Sequence, residues 1–262
     1  MIEILAKARE KLTNETILVF TCDIDWASDY AIGQTLALCK EYSIPLTVFI
    51  THKSSVIESA PKELVNIGLH PNFMSGSSQG NSIEEVLDFL FALHPNAECY
   101  RAHRYYDVND VTDHMPKRGI LYDSNVCTLL DDVFPFVHRS GIIRFPVFFE
   151  DGAYLYHNSE LRLSAIERRL FARGIRVINF HPMHLMLNTP YFQYTRDIKD
   201  RVSRKEWGAM KEAVIKKIRY SGDGITSMLR EMMETAAVKR SSGELRVMAM
   251  SEAYRLLLEV GA

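Results

Sequence analysis

The sequence has few cysteines, no long apolar run and no excess of charge of either sign. Its four cysteines, Cys22, Cys39, Cys99 and Cys127, are widely spaced and form no Cys-x-x-Cys pair. That argues against a cysteine zinc site or a dithiol redox motif. Three of the four stand in apolar runs, the setting of buried free thiols in a reducing compartment. No stretch approaches the roughly 18 apolar residues of a membrane-spanning helix. The opening Met-Ile-Glu-Ile-Leu-Ala-Lys-Ala-Arg-Glu-Lys lacks the apolar core and cleavage site of a signal peptide and reads as a short amphipathic helix. The expected location is therefore the cytoplasm. Lysine and arginine total 31 against 33 acidic residues, a net charge of −2 with no long basic run, which argues against nucleic acid as the main partner. Repeats, low-complexity segments and a Pro/Gly/Ser-rich linker are also missing, so residues 1–262 are expected to form one domain.

What the sequence does have is an ordinary globular composition, 47% hydrophobic and 24% charged. Strand-like apolar runs occur at Ile17–Cys22, Leu46–Ile50, Ile67–Leu69, Glu98–Arg101, Ile120–Tyr122, Ile142–Phe149 and Arg176–Phe180. Helical patterns lie between them, over Tyr30–Tyr42, Pro61–Asn66, Ile83–Leu93, Val108–Arg118 and Leu161–Arg173. This alternation predicts an α/β fold of parallel strands joined by crossover helices, and about seven strands predict a barrel over residues 15–185. From Ser203 onward the pattern turns helical, over Glu206–Tyr220, Ile225–Val238 and Ser251–Leu258, with a loop at 239–244. This predicts a helical tail, residues 203–262, packed on the barrel.

In such folds chemistry gathers at the carboxyl ends of the strands. The first strand runs Ile17-Leu-Val-Phe-Thr-Cys-Asp-Ile-Asp-Trp26 and ends in two carboxylates, Asp23 and Asp25. Two residues apart in an extended chain, they point to one face, which is costly unless a cation lies between them. A metal ion is the simplest candidate. His70 follows the third run, Arg101 and His103 the fourth, Glu150 and Asp151 the sixth, and His181 the seventh, with His184 close behind. Each has a structural reading when taken singly: Asp25 as a helix cap, a histidine as a hydrogen-bonded structural residue, Arg101 as an ion-pair partner. As a set they are hard to obtain by chance. Cys22 reads as core filling, because the carboxylate beside it disfavours a thiolate. His52, His94, His114, His138 and His157 lie off the pattern and read as surface or structural residues.

The order and local context of these pieces resemble the polysaccharide deacetylases, the NodB-type carbohydrate esterase family. The matching segments are Thr21-Cys-Asp-Ile-Asp25, Asn66-Ile-Gly-Leu-His70, Tyr100-Arg101, Ile143-Arg-Phe-Pro-Val-Phe-Phe-Glu-Asp151 and Ile178-Asn-Phe-His181. The Gly-Leu-His-Pro-Asn-Phe form resembles a branch associated with bacterial O-antigen and capsule biosynthesis. The resemblance implies a distorted seven-stranded (β/α) barrel with a C-terminal helical extension. It also implies a metal-dependent enzyme that removes an N-acyl group, typically acetyl, from an amino sugar. By the same resemblance Asp25 and His70 bind a divalent metal, most simply zinc, and Asp23 is the general base. Arg101 holds Asp23, Asp151 positions His181, and His181 is the general acid. The implied partner is a carbohydrate, carried in the cytoplasm as a sugar nucleotide or a lipid-linked glycan. Trp26, Asn72 and Tyr105 beside the strand ends are the candidate substrate contacts.

One departure matters. The family usually places a second metal histidine four residues after the first, and here that position is Met74, a poor ligand for a hard or borderline cation. His103 is the favoured replacement, with His184 a less direct one. Two rival readings follow. A degenerate deacetylase fold binding a glycan or partner enzyme would explain Met74. A phosphohydrolase of the haloacid dehalogenase type also ends its first strand in Asp-x-Asp, and would use Asp131-Asp132 as its later acids.

Overall fold

The run that ends in the two acids is the central strand of the molecule. In the computed structural model, which describes residues Met1–Ala262, it forms β1 (Thr16–Asp23), buried along nearly its whole length and paired in parallel with strands on both sides. The others are β2 (Leu46–Ile50), β3 (Val65–Leu69), β4 (Cys99–Tyr100), β5 (Tyr122–Asp123), β6 (Phe136–Val137), β7 (Ile143–Arg144), β8 (Val147–Glu150), β9 (Gly174–Phe180) and β10 (Arg246–Val247). Their order in the sheet is β6-β7-β5-β4-β3-β2-β1-β9-β8, with β10 added to the start of β1, and only the β6–β7 pair is antiparallel.

The expected single strand Ile142–Phe149 is two strands. Phe145-Pro146 separates β7 from β8, because proline has no N–H to give to a ladder. β7 pairs with β5, while β8 pairs with β9 on the far side of the sheet. One short stretch of chain thus supplies strands to both margins, and the sheet curls between them into the expected distorted barrel.

The two faces of β1 show how the interior is divided. Leu18, Phe20 and Cys22 face the surrounding helices and belong to a core of 48 buried residues. That core includes Met228, Leu229, Met232 and Met233 of the helix Ile225–Ser241, so the C-terminal helices share the barrel's main apolar layer. Ile17 and Val19 point the other way, into a second core of 17 residues with Phe49, Tyr122, Phe145 and Val177. Leu5, Ala8 and Leu257 of the terminal helices Ile2–Lys11 and Met250–Gly261 close this inner core from below. Continuing up the inner face, Thr21 and Asp23 are buried but polar. The barrel interior is therefore apolar at the floor and charged at the carboxyl end.

Several expected helices are corrected. Residues 61–64 form a turn, and β3 begins at Val65, where its backbone pairs with Leu46 of β2; the ladder overrides a helix-like composition. Val108–Arg118 is a short helix, Asn109–Thr112, and a 3-10 turn, Pro116–Arg118, interrupted where Pro116 cannot continue a helix. Leu161–Arg173 contains only Leu163–Ala165 and Glu167–Leu170. Glu206–Tyr220 divides into Arg204–Gly208 and Glu212–Ile218. The helix from Ile225 runs on to Ser241, through the start of the expected loop. Four α-helices were not expected from the pattern, Ser55–Glu58, Asp151–Tyr156, Pro182–Leu187 and Phe192–Lys199, and the last three border the site.

Candidate active site

Asp23 closes β1 and is held on both oxygens. Arg101 Nη1 donates to Oδ1 at 2.9 Å and Asn179 Nδ2 to Oδ2 at 2.9 Å. Arg101 itself is 0% exposed. Its remaining donors go to Thr21 Oγ1, Asn179 Oδ1 and the carbonyl and hydroxyl of Ser124, and its guanidinium lies 4.3 Å from the Phe49 ring centre. A buried arginine is tolerable only with such full pairing. Asn179, on the neighbouring strand β9, was not singled out in the sequence; as an interior strand residue it carries no spacing signal.

Asp25 does not share an extended face with Asp23. β1 stops at Asp23, and both Asp25 (φ 40°) and Trp26 (φ 55°) adopt the left-handed region, strained for residues with a side chain. This turn separates the two acids, so the cation between them is not required. Asp23 is neutralised by Arg101, and Asp25 is directed at histidines. Its Oδ1 lies 3.1 Å from His70 Nε2 and 3.1 Å from His103 Nδ1, while Oδ2 lies 3.9 Å from His181 Nε2. Burial opposes ionisation of Asp25, yet the interaction with His103, followed by those with His70 and His181, brings its carboxyl well below the usual range.

His70 follows β3 and is 2% exposed, and neither ring nitrogen makes a hydrogen bond. The nearby carboxylate oxygen is close but not aligned to accept. A buried imidazole with both nitrogens unpaired is costly, unless one of them is a metal ligand. Asp25, His70 and His103 bring their ligand atoms within 4.8 Å of one another, so the donor set fits a divalent cation. Gln79 anchors the segment after His70 through Thr51 O, His70 O and Asn72 N.

His103 reaches Asp25 through a 3-10 turn, His103–Tyr105, with Arg104 (φ 59°) and Tyr105 (φ 53°) both left-handed. Its backbone N donates to Pro71 O at 2.8 Å, and its ring meets the edges of Trp26 and His70. Met74, at the position of the missing family histidine, is 38% exposed and lines a separate depression with Phe73 and Tyr106. His184 is not part of Asp25's ligand cluster. It joins a second one, Asp151, His181 and His184.

In that cluster Asp151 is fully buried at the start of the helix Asp151–Tyr156. Asp151 Oδ1 lies 2.6 Å from His181 Nδ1, its Oδ2 accepts from the His181 backbone N at 2.8 Å, and Oδ2 is 3.2 Å from His184 Nδ1. Burial disfavours the imidazolium, but Asp151 above all, with Asp25 and Glu150, outweighs it and brings His181 up to about 10. Glu150, named at the strand end but given no role, caps this helix by accepting from Gly152 N and Ala153 N; burial pushes its carboxyl up to about 7.

These groups line a cleft of about 1000 Å³. Tyr105 and His157 line it as well; the Tyr105 hydroxyl is buried without a partner. Trp26 and Asn72 face an adjoining depression of about 310 Å³ that also touches Asp25 and His103. Trp26 Nε1 donates to Ser78 Oγ, and Asn72 Oδ1 accepts from Met74 N. Cys22 is core, with burial pushing its thiol well up. Asp131 and Asp132 are tied to Arg169 and Arg176, and Asp132 lies with Gly174 near the start of β9, at the opposite end of the strands. They take no part in this site.

A model of the family described as WbmS-like polysaccharide deacetylase matches residues 20–199. A solved structure described as a candidate polysaccharide deacetylase involved in O-antigen biosynthesis (WbmS), from Bordetella bronchiseptica, is similar with a TM-score of 0.72 at 24% identity, covering 87% of this chain and 93% of that one. A candidate polysaccharide deacetylase from Mycobacterium smegmatis has a TM-score of 0.58 at 16% identity, with 93% and 91% covered. At these identities the two structures establish the fold. No functionally curated protein matches the sequence. With the family model spanning most of the barrel and more than half of its length, this chain belongs to the WbmS-like polysaccharide deacetylase family.

Proposed function

We propose that this chain is a metal-dependent amide hydrolase that removes an N-acyl group, acetyl in the first instance, from an amino sugar during assembly of a bacterial surface glycan. The observation that carries the proposal is the division of Asp25. One oxygen faces His70 and His103, the other faces His181, and Asp23 stands beside them on a separate support. The printed description of the Bordetella relative supports the O-antigen setting, and the free cysteines support a cytoplasmic one.

Asp25, His70 and His103 would hold the metal, with zinc favoured by this nitrogen and oxygen donor set. A divalent cation there supplies the Lewis acidity that makes a water nucleophilic near neutral pH and polarises the amide carbonyl. Asp23, oriented by Arg101 and Asn179, takes the proton from the attacking water. His181, held through Nδ1 by Asp151, whose carboxylate favours the protonated ring, offers its Nε2 proton to the departing amine nitrogen. The C–N bond breaks as that proton arrives, giving a carboxylate and a free amine. Asp151 thus works as a positioning residue.

The test is acetate release from N-acetylated amino sugars by protein purified without chelator. The activity should disappear on chelation and return with added zinc. Turnover that is indifferent to chelation would refute the metal-dependent reading.

A further inference from the structure

The floor of the cleft is acidic, and its rim is basic. Asp23, Asp25 and Glu150 lie at the floor among the histidines. The exposed charged side chains lining the cleft and the adjoining depression are Arg104, Arg196, Lys199 and Arg204, against Asp200 alone. None of these four cations is in an ion pair. Arg196 lies over the Phe192 ring at 4.7 Å, Lys199 over Trp207 at 4.8 Å, and Arg204 donates to Gly76 O at 3.0 Å. Some exposed cations elsewhere find acids, as Arg139 does with Asp113 and Lys216 with Glu212, and others, such as Lys11, Lys62 and Lys211, do not. What distinguishes the four on this rim is that they line one cleft mouth with a single exposed acid among them, on a chain whose net charge is −2.

Their placement is built in. Arg196 and Lys199 are three residues apart on the helix Phe192–Lys199, so they project from one side of it. Arg104 sits in the same strained turn that delivers His103, so one turn provides both a metal-ligand candidate and a rim cation. Trp207, 6% exposed and lining both depressions, has an indole N–H with no acceptor in the protein. Like charges gathered without counter-charges repel one another, and an anionic ligand removes that cost. A neutral polymer needs flat aromatic surfaces and hydrogen-bonding groups, and gives no reason for gathering four cations at one mouth. The cleft, at about 1000 Å³, also has room for more than a single sugar.

Resting on the hydrolase reading above, we propose that the amino sugar arrives carried on a diphosphate, held at the rim by Arg196 and Lys199 with Arg104, Arg204 and the Trp207 N–H alongside. The acylamino group then reaches the floor, between Asp23 and His181. The rest of the carrier meets Tyr156 and Phe192, which pack edge to face at 5.2 Å on the same rim. A nucleoside and an isoprenoid carrier present the same diphosphate, and the experiment distinguishes them.

Acetate release should be compared for one N-acetylamino sugar in three forms: a neutral oligomer, a uridine diphosphate conjugate and a short polyprenyl diphosphate conjugate. Binding of inorganic pyrophosphate is measured in parallel by calorimetry. One diphosphate conjugate should be preferred over the neutral form in kcat/KM by about tenfold or more, and that preference names the carrier. The double variant Arg196→Gln/Lys199→Gln should raise KM for that conjugate about tenfold or more with kcat little changed, and should weaken pyrophosphate binding. Equal use of the neutral form, with no effect of the double variant, would overturn the diphosphate carrier and leave the hydrolase reading standing. Variant-sensitive pyrophosphate binding without acetate release from any form would support the anion site and overturn the hydrolase reading.

Discussion

At the scale of single residues, the site separates two acids that the sequence places only two positions apart. Asp23 is fixed by Arg101 and Asn179 and is assigned to proton transfer; Asp25 is aimed at His70 and His103 and assigned to the metal. Asp23→Asn should therefore keep the metal and fold but lower turnover by about 10²-fold or more, measured as acetate release beside metal content. Near-normal turnover would remove Asp23 as the base. His181 allows a pH prediction. Its folded value of about 10 lies above the ordinary 6.5. Its ion pair with Asp151 therefore contributes stability fully below about pH 6.5, and that contribution is lost as pH rises through about 10. In metal-free protein the His181 ring should give imidazolium NMR shifts through pH 8, and a midpoint near 6.5 would contradict the assignment. Asp23, Asp25, His70, Arg101, Asp151 and His181 were legible because each stands at or just beyond a strand end. Asn179 and Gln79 were not, since a polar residue inside a strand or loop becomes informative only once its partners are in place. The roles of Arg104 and Glu150 were hidden in the same way, in a turn geometry and a helix cap.

At the scale of elements, the strands were easier to read than the helices. β1, β2 and β9 are apolar runs buried on both faces, which a parallel sheet requires. The helices Pro182–Leu187 and Phe192–Lys199 are too short for a helical period to show; the first is apolar at every position but His184, and the second spans only two turns. Pro61–Asn66 was misread because a proline followed by charged residues is also how a helix starts. Gly68 shows an element under close packing. A Cβ there would lie 2.6 Å from the Phe49 ring and 2.7 Å from Cys99 Sγ. Phe49 also stacks on Arg101, so Gly68→Ala should destabilise the fold by about 1–3 kcal/mol and disturb the support of Asp23. A denaturation midpoint equal to that of the unaltered protein would show that β3 can yield without cost.

At the scale of the whole molecule, terminal helices close one end of the barrel, and the other end opens into a cleft whose floor is acidic and whose rim is basic. The family assignment accounts for the barrel, and the proposed replacement of the histidine expected at position 74 by His103 is what would distinguish this chain's site from the pattern. Everything proposed about the reaction depends on that replacement. The most direct test is elemental metal analysis of protein purified without chelator, comparing the unaltered chain with His70→Ala and His103→Ala. Near one equivalent of a divalent metal in the unaltered protein, lost in both variants, is the predicted result. Metal content unchanged in His103→Ala, or no metal in the unaltered protein even after zinc is supplied, would contradict it.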